Sequence, residues 1–187
     1  MKILITGGSA PIAESIIHRL LSQDHEIVVF DIQQNLALPE AVTFIRGDIR
    51  DFDAVANAGR GCDTGLHLVA LAGSSKSEDI INVNVSGAYA FFIAARKNHF
   101  STAVLASSAP VHLPPDNSDD DLLLRTSNDS DHVYDLTKSL QEVMARDFFA
   151  HGLPVTCLRF GHIVDGSTNT NLDDEMPLAE FDYCRGG

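Results

Sequence analysis

The sequence is poor in cysteine and in basic residues, and it has no long apolar run. Its three cysteines fit no zinc-binding or Cys-x-x-Cys spacing, and its eight histidines form no metal-binding motif, so we expect reduced thiols and no metal ion. Thirteen lysines and arginines against 26 acidic residues give a formal charge of -13, which argues against nucleic acid and anionic membranes as partners. No segment reaches the roughly 18 apolar residues needed to span a bilayer, so we expect a cytoplasmic protein.

The order of apolar segments indicates the fold. The 187 residues, 44% of them hydrophobic, suffice for one domain with a substantial core. Short β-branched runs alternate with longer segments of helical period, which is typical of a parallel sheet covered by helices on both faces. The predicted strands are 2–6, 26–30, 42–46, 65–69, 102–107 and 154–159, and the predicted helices are 11–22, 51–58, 77–98 and 132–151. This order resembles an α/β Rossmann-type doubly wound sheet.

A glycine-rich turn, Thr6-Gly7-Gly8-Ser9-Ala10-Pro11-Ile12-Ala13, follows the first predicted strand at once. Backbone amides there, with the positive end of the next helix, can face a pyrophosphate. Asp31 ends the second strand, where a carboxylate accepts hydrogen bonds from ribose hydroxyls and repels a 2′-phosphate, which favours NAD over NADP. Gly47-Asp48-Ile49, after the third strand, could meet the adenine. A turn without ligand and an aspartate that only ends a strand remain the simpler alternatives.

Tyr134 and Lys138 lie four residues apart, on one face of any helix that contains them. A cation beside a phenol oxygen stabilises the phenolate and lowers the pKa of the tyrosine, which would give a base near neutral pH. Ser108 lies at the carboxyl end of the fifth predicted strand, the edge where ligands meet open α/β sheets. By itself the Tyr-x-x-x-Lys spacing proves little, because it arises by chance in many helices, where it is an ordinary solvated surface pair.

Taken in order, these motifs resemble those of the extended short-chain dehydrogenase/reductases, the family of NAD-dependent epimerases and dehydratases. The matching segments cover nearly the whole chain. They are 6–13 (T-G-x-x-G-x-x-G), Asp48, 63–70 (D-x-V-x-H-L-A-A), 84–87 (N-V-x-G), 107–112 (S-S-x-x-V-Y), Tyr134 with Lys138, and 158–163 (L-R-Y-x-N-V).

The resemblance implies an NAD-dependent oxidoreductase or epimerase that acts on a sugar or nucleotide-sugar hydroxyl. Ser108 would hydrogen-bond the substrate oxygen, Tyr134 would exchange the hydroxyl proton, and Lys138 would hold the nicotinamide ribose and depress the tyrosine's pKa. Asn84 would position the active-site backbone or a water, or would simply be a helix-interior asparagine bonded to nearby backbone. The implied cofactor contacts are Gly7, Gly8, Ser9, Pro11, Ile12, Asp31, Asp48, Ile49, Leu68, Val69, Ala70, Asn84 and Lys138.

The chain also departs from the family pattern. Ala10 and Ala13 replace the second and third glycines, and we expect the methyl group of Ala10 to weaken or shift cofactor binding. His112 and His162 replace a tyrosine and an asparagine, and they are candidate substrate contacts or ordinary loop histidines. Family members commonly continue into a substrate-binding lobe. We therefore expect residues 1–168 to form the NAD-binding domain and 169–187 to be a remnant or the start of a lobe that is short or missing.

Two further functions stay open, and so does the oligomeric state. The chain could be a non-catalytic NAD-binding module, truncated or degraded, or a hexuronate-type dehydrogenase, since that branch of the family resembles residues 84–95. The family's counterparts of helices 77–98 and 132–151 form a homodimer interface, which implies a possible homodimer here. Burial within the monomer is the alternative for the aromatic residues of these helices, which include Phe91, Phe92, Phe148 and Phe149.

Overall fold

The computed structural model describes residues 1–34, 38–73, 75–108, 111 and 130–161. The strands in these residues are β1 (Lys2–Thr6), β2 (Glu26–Asp31), β3 (Thr43–Arg46), β4 (Thr64–His67), β5 (Thr102–Ser108) and β6 (Val155–Phe160). The helices are α1 (Pro11–Leu21), α2 (Phe52–Ala58), α3 (Ser77–Ile81), a π-helical turn (Asn82–Ser86), α4 (Gly87–Lys97) and α5 (Ser130–Ala150). All ten predicted segments are present, with ends displaced by at most two residues.

The strands form one parallel sheet in the order β3-β2-β1-β4-β5-β6. Strand β1 pairs on both sides, so that Ile3 lies opposite Ile27 of β2 and opposite Thr64 of β4. The chain first winds outward to β3 and then returns past β1 to build the other half of the sheet. This topology confirms the predicted Rossmann-type doubly wound fold, and it leaves a crevice at the carboxyl ends of β1 and β4, where ligands of such sheets bind.

Two buried clusters cover the two faces of the sheet. On one face, Val55 of α2, Phe92 of α4 and Phe148 of α5 pack against the strands. On the other face, Ala13 and Ile17 of α1 do the same. Both faces are buried at the centre of the sheet, so the middle parts of β1 (Ile3 to Ile5) and β2 (Ile27 to Phe30) are continuously apolar, and such runs can be recognised in the sequence.

The aromatic residues of the two long predicted helices divide between core and surface. Phe91, Phe92 and Phe148 are buried within the monomer, whereas Phe149 is partly exposed. Burial of the first three agrees with the monomer-core alternative for these side chains. Leu136, Leu140 and Val143 of α5 are also exposed, and they bear on the question of a partner chain.

The predicted single helix over 77–98 is wrong in one respect, because a π-helical turn at Asn82–Ser86 interrupts it. The carbonyl oxygen of Asn84, inside this turn, accepts a hydrogen bond of 2.9 Å from Nε2 of Gln141 on α5. A π turn disturbs the regular ladder of helix hydrogen bonds, and a side chain from a neighbouring helix here supplies a partner. In the described part of the chain, no helix is long and apolar enough to cross a membrane.

Candidate active site

The glycine-rich turn between β1 and α1 closes tightly against the end of β4. Gly7 has a φ of +83°, and a Cβ atom there would lie 2.6 Å from the backbone nitrogen of Val69. Only glycine fits such a position, because a side chain would meet both backbone strain and a clash. Its amide donates to the carbonyl of Phe30 at 3.0 Å, which joins the turn to the end of β2. Gly7 therefore brings backbone to the crevice where a side chain would close it.

Asp31 lies beside this turn at the end of β2. Its Oδ2 accepts a hydrogen bond from the amide of Ser9 at 3.0 Å, and its Oδ1 accepts one from the amide of Gln33 at 3.3 Å. Each carboxylate oxygen can accept more than one hydrogen bond, so both retain capacity for hydroxyl donors. The carboxylate is thus held in place by the turn and still available to a ribose.

A groove of about 350 Å³ runs along this edge of the sheet. Most of the predicted cofactor contacts line it, namely Gly7, Asp31, Asp48, Ile49, Leu68, Val69 and Ala70. Ala10, where the family pattern has a glycine, lines it too. Gly47, from the segment expected to meet the adenine, lines it as well, and the lining that the sequence did not predict comprises Phe30, Ile32, Gln33, Arg50, Leu71 and Val83.

Other predicted cofactor contacts lie away from this groove or beside it. A Cβ atom on Gly8 would lie 2.5 Å from Val29, so Gly8 faces the sheet and allows the turn to pack closely. Ser9 contacts Asp31 through its amide, and Pro11 opens helix α1. Ile12 lines the neighbouring pocket that contains the predicted catalytic residues.

Asp48 and Arg50 form an ion pair at the far end of the groove. Nε of Arg50 donates to Oδ1 of Asp48 at 2.9 Å, and the guanidinium hydrogen bond lowers the pKa of this carboxyl group despite an opposing effect of burial. Asp48 is therefore an anion with a fixed direction at the expected adenine end. An arginine two residues after the acid is the sequence signal that could have found this pair.

All three predicted catalytic residues line one pocket of about 140 Å³, together with Ala106, Phe160 and Gly161. Ser108 ends β5, while Tyr134 and Lys138 lie on α5. Leu68 and Ala70 line both this pocket and the larger groove, so the two are adjacent at the end of β4. The residues predicted for proton transfer and those predicted for dinucleotide binding therefore share one edge of the sheet.

Burial moves the pKa of Tyr134 in the opposite direction from the one expected. Desolvation raises the pKa of the phenol, a hydrogen bond with the Ser108 side chain lowers it, and the Asp135 charge raises it, with a net rise. The predicted lowering by Lys138 is therefore wrong for the pair as it stands. The Lys138 ammonium lies 5.5 Å from the centre of the tyrosine ring and donates instead to the carbonyl of Ala106 at 2.8 Å.

Lys138 is itself buried, with only 2% of its surface exposed. Desolvation lowers the pKa of its ammonium group to about 8. The carbonyl of Ala106 gives the buried ammonium one acceptor, which limits the cost of removing it from water. Near neutral pH the pocket therefore holds a neutral phenol beside a lysine that carries most of a positive charge.

Asn84 ties three parts of the site together. Its Oδ1 accepts from the amide of Leu71 at 2.7 Å, while its Nδ2 donates to the carbonyl of Leu71 at 3.0 Å and to Oγ1 of Thr137 at 2.9 Å. Leu71 follows β4, and Thr137 precedes Lys138 on α5. Asn84 is thus bonded to nearby backbone and to one hydroxyl, as a helix-interior asparagine would be. The same bonds also hold the backbone of Leu71 beside the groove.

His67, at the end of β4, is a buried residue to which the sequence assigned no role. Its Nδ1 lies 2.7 Å from Oγ1 of Thr6, and its ring stacks on Phe91 at 5.1 Å. Burial, with a smaller effect of the Lys138 charge, lowers its pKa to about 3, so it is neutral at physiological pH. The candidate substrate contacts His112 and His162 lie outside the described residues, as do residues 169–187.

The buried ammonium of Lys138 predicts a pH-dependent stability. The folded chain releases the lysine proton near pH 8 and the unfolded chain near 10.5, so the folded state gains stability as the pH rises through this window. Lys138→Met removes this titration. We expect its free energy of unfolding, minus that of the native chain, to be roughly 2 to 3 kcal/mol larger at about pH 7 than at about pH 10. Urea unfolding at several pH values measures this difference, and a constant difference would contradict it. Lys97→Met, at an exposed position on α4, is the control.

Known proteins resemble this chain in sequence and in structure. It is 26% identical over 175 residues to a UDP-N-acetyl-alpha-D-glucosaminuronate decarboxylase of Bacillus cytotoxicus, with 87% of this chain and 54% of that protein covered. A UDP-glucose 4-epimerase of Thermus thermophilus solved in complex with NAD superposes with a TM-score of 0.69 at 26% identity, over 85% of this chain and 54% of the other. A mutated uronate dehydrogenase does so with a TM-score of 0.67 at 26% identity, over 84% and 57%.

The chain thus spans little more than half the length of these relatives. The NAD dependent epimerase/dehydratase family matches residues 3–177, nearly the whole sequence, and agrees with the predicted cofactor. The groove fits that cofactor, since Gly7 keeps its backbone side open and Asp31 presents a carboxylate to it. The chain belongs to the NAD-dependent epimerase/dehydratase family.

Proposed function

We propose that this chain binds NAD and carries the proton-transfer residues of an oxidoreductase or epimerase that acts on a hydroxyl group of a sugar or nucleotide sugar. One observation carries the proposal: Ser108, Tyr134 and Lys138 line a pocket that adjoins the dinucleotide groove at Leu68 and Ala70. Oxidation of a carbinol removes a hydride from the carbon and a proton from the hydroxyl oxygen bonded to it. The hydride acceptor and the proton acceptor must therefore lie next to each other. NAD, when bound, exchanges the hydride.

Tyr134 is the proton-transfer residue in this proposal. Its neutral phenol can donate a proton to a carbonyl oxygen when the substrate is reduced. In the oxidative direction, the phenolate that takes the hydroxyl proton is stabilised by the Ser108 hydroxyl, which lowers the pKa of Tyr134. Ser108 also has a position at the end of β5 from which its hydroxyl can bond the reacting oxygen.

Asp31 is the residue that we assign to the adenosine ribose. Its carboxylate is held by the glycine-rich turn and faces the groove, so it favours two free ribose hydroxyls and repels a 2′-phosphate. We assign residues 1–168 to the NAD-binding domain and 169–187 to a remnant or the start of a substrate-binding region. His112 and His162 remain the proposed substrate contacts.

Two alternatives rest on particular observations. A non-catalytic NAD-binding module is favoured by Ala10, which replaces a family glycine and lines the groove. A dehydrogenase of hexuronates is favoured by the likeness to a uronate dehydrogenase and by the sequence similarity to a decarboxylase whose substrate is a glucosaminuronate. The first alternative predicts NADH binding without turnover, and the second predicts that uronates outcompete neutral sugars.

Tyr134→Phe tests the catalytic proposal. Loss of the phenol hydroxyl removes the proton-transfer group, so we expect turnover to fall by about 10²- to 10⁴-fold while NADH binding is retained. Nicotinamide absorbance over a panel of sugars, uronates and nucleotide sugars measures turnover, and NADH fluorescence measures binding. Tyr89→Phe, on α4 and outside the described pockets, is the matched control. Full turnover by Tyr134→Phe with a confirmed substrate would sink the proposal.

Asp31→Asn tests the cofactor assignment. The amide oxygen can keep the hydrogen bond from Ser9, but the negative charge that repels a 2′-phosphate is lost. We expect NAD to bind about tenfold more weakly and the preference for NAD over NADP to fall by at least a similar factor. Calorimetric titration with both dinucleotides checks this, with Asp53→Asn on the surface of α2 as the control. If the preference for NAD over NADP is unchanged, the assignment of this selectivity to Asp31 is wrong.

Three exposed apolar side chains of α5, Leu136, Leu140 and Val143, lie on one face with 49%, 39% and 60% of their surface exposed. We propose that this stripe pairs with a second copy of the chain. Light scattering should then show a dimer, and Leu140→Glu with Val143→Glu should give a monomer because both place a charge in the apolar contact. Ser15→Glu on α1 leaves the stripe intact and should stay dimeric. A native chain that is monomeric at all concentrations contradicts the proposal.

A further inference from the structure

Three side chains along one row of α5 contact successive residues at the end of β5. Tyr134 lines the same pocket as Ser108, whose side chain lowers the pKa of the phenol, and Nζ of Lys138 donates to the carbonyl of Ala106 at 2.8 Å. Glu142, one turn further along the helix, accepts a hydrogen bond from Oγ of Ser107 through its Oε1. Residues four apart share a helix face, so these contacts together fix both the rotation and the height of α5 on the strand.

Glu142 has a second partner on the next strand. Arg159 of β6 lies directly opposite Ser107 in the sheet register, so both side chains project to the face that α5 covers. Nε of Arg159 donates to Oε1 of Glu142 at 2.8 Å, and Nη2 donates to Oε2 at 2.7 Å. This is a two-point fork, a geometry that specifies orientation as well as distance. Glu142 thus joins α5 to the ends of both β5 and β6.

The pair is buried, with 5% of the Glu142 side chain and 12% of the Arg159 side chain exposed. Burial alone raises the pKa of Glu142, but the hydrogen bonds from Arg159 and Ser107 outweigh it and leave the pKa below its usual value. A buried ion pair contributes little net stability, because desolvation of both charges offsets their attraction. Its distinctive effect is to fix the orientation of the helix on the strands. Here the contact is made by Ser107, one residue before Ser108, and by Glu142, one helical turn after Lys138.

We propose that Glu142, held by Ser107 and Arg159, is a positioning residue for proton transfer: it sets α5 on β5 so that the phenol of Tyr134 meets the hydroxyl of Ser108. This inference rests on the proposed role of Tyr134 in proton transfer. Glu142 does not line the pocket that contains Ser108 and Tyr134, so its effect passes through the helix and strand that it joins. Arg146 on the same helix adds a positive charge near the carboxylate.

The contact between Ser108 and Tyr134 can be measured without a substrate. The Ser108 hydrogen bond lowers the pKa of Tyr134, so Ser108→Ala should raise that pKa in the native chain. In the Glu142→Gln background we expect Ser108→Ala to leave the pKa unchanged, because the displaced phenol no longer meets the hydroxyl. The direct effect of the lost charge is common to both Glu142→Gln chains and cancels in the comparison. Carbon NMR of labelled tyrosines reports the titration, and Tyr134→Phe assigns the signal.

The matched control is Asp147→Asn, which also converts a carboxylate of α5 to an amide but at an exposed position. In that background Ser108→Ala should raise the pKa of Tyr134 as it does in the native chain. An equal rise in the Glu142→Gln chain would overturn the proposal, whatever its loss of stability. Should Glu142→Gln not fold, Ser107→Ala and Arg159→Lys, which weaken one contact each, are measured in the same cycle. Because no turnover is involved, failure here is distinct from failure of the proposed enzyme function.

Discussion

The buried ammonium of Lys138 and the carbonyl of Ala106 make the hydrogen bond on which the site's geometry depends. An ammonium removed from water requires an acceptor, and the end of β5 supplies one at 2.8 Å. Meeting that requirement brings α5 against β5, with Tyr134 one turn before the lysine and Glu142 one turn after it. The phenol then reaches Ser108 and the carboxylate reaches Ser107. The cost of burying one charge is thereby offset by contacts that also arrange the pocket.

The dinucleotide groove depends on a different constraint, the close approach of backbone at the switch point of the sheet. Gly7 lies against Val69 because β1 is paired with both β2 and β4, which brings the glycine-rich turn over the end of β4. The same turn holds Asp31 through Ser9. The pocket that contains Lys138 and the groove that contains Gly7 are thus adjacent at the residues that follow β4. Asn84 holds that segment in place through its hydrogen bonds with Leu71.

The strands, the parallel order and part of the lining of the site could be predicted because each leaves a local trace in the sequence. Runs buried on both faces are continuously apolar, and a four-residue spacing places Tyr134 and Lys138 on one helix face. The π-helical turn and the Glu142 to Arg159 pair leave no such trace, since each depends on partners far away in the sequence. The predicted direction of the Tyr134 pKa shift is wrong for the same reason. The spacing indicates that a cation is close to the phenol, but it does not indicate how deeply the phenol is buried.

The burial of Tyr134 and Lys138 has a chemical consequence for the proposed reaction. Burial destabilises charge on both groups, so it raises the pKa of the phenol and lowers that of the ammonium to about 8. Lysine therefore loses its proton before tyrosine does, and a phenolate beside a charged lysine is not the resting arrangement. Tyr134 is a proton donor as it stands, and its use as a base requires a contact that favours the phenolate. The Ser108 side chain lowers the pKa of Tyr134, so this serine favours the phenolate in addition to its proposed contact with the substrate.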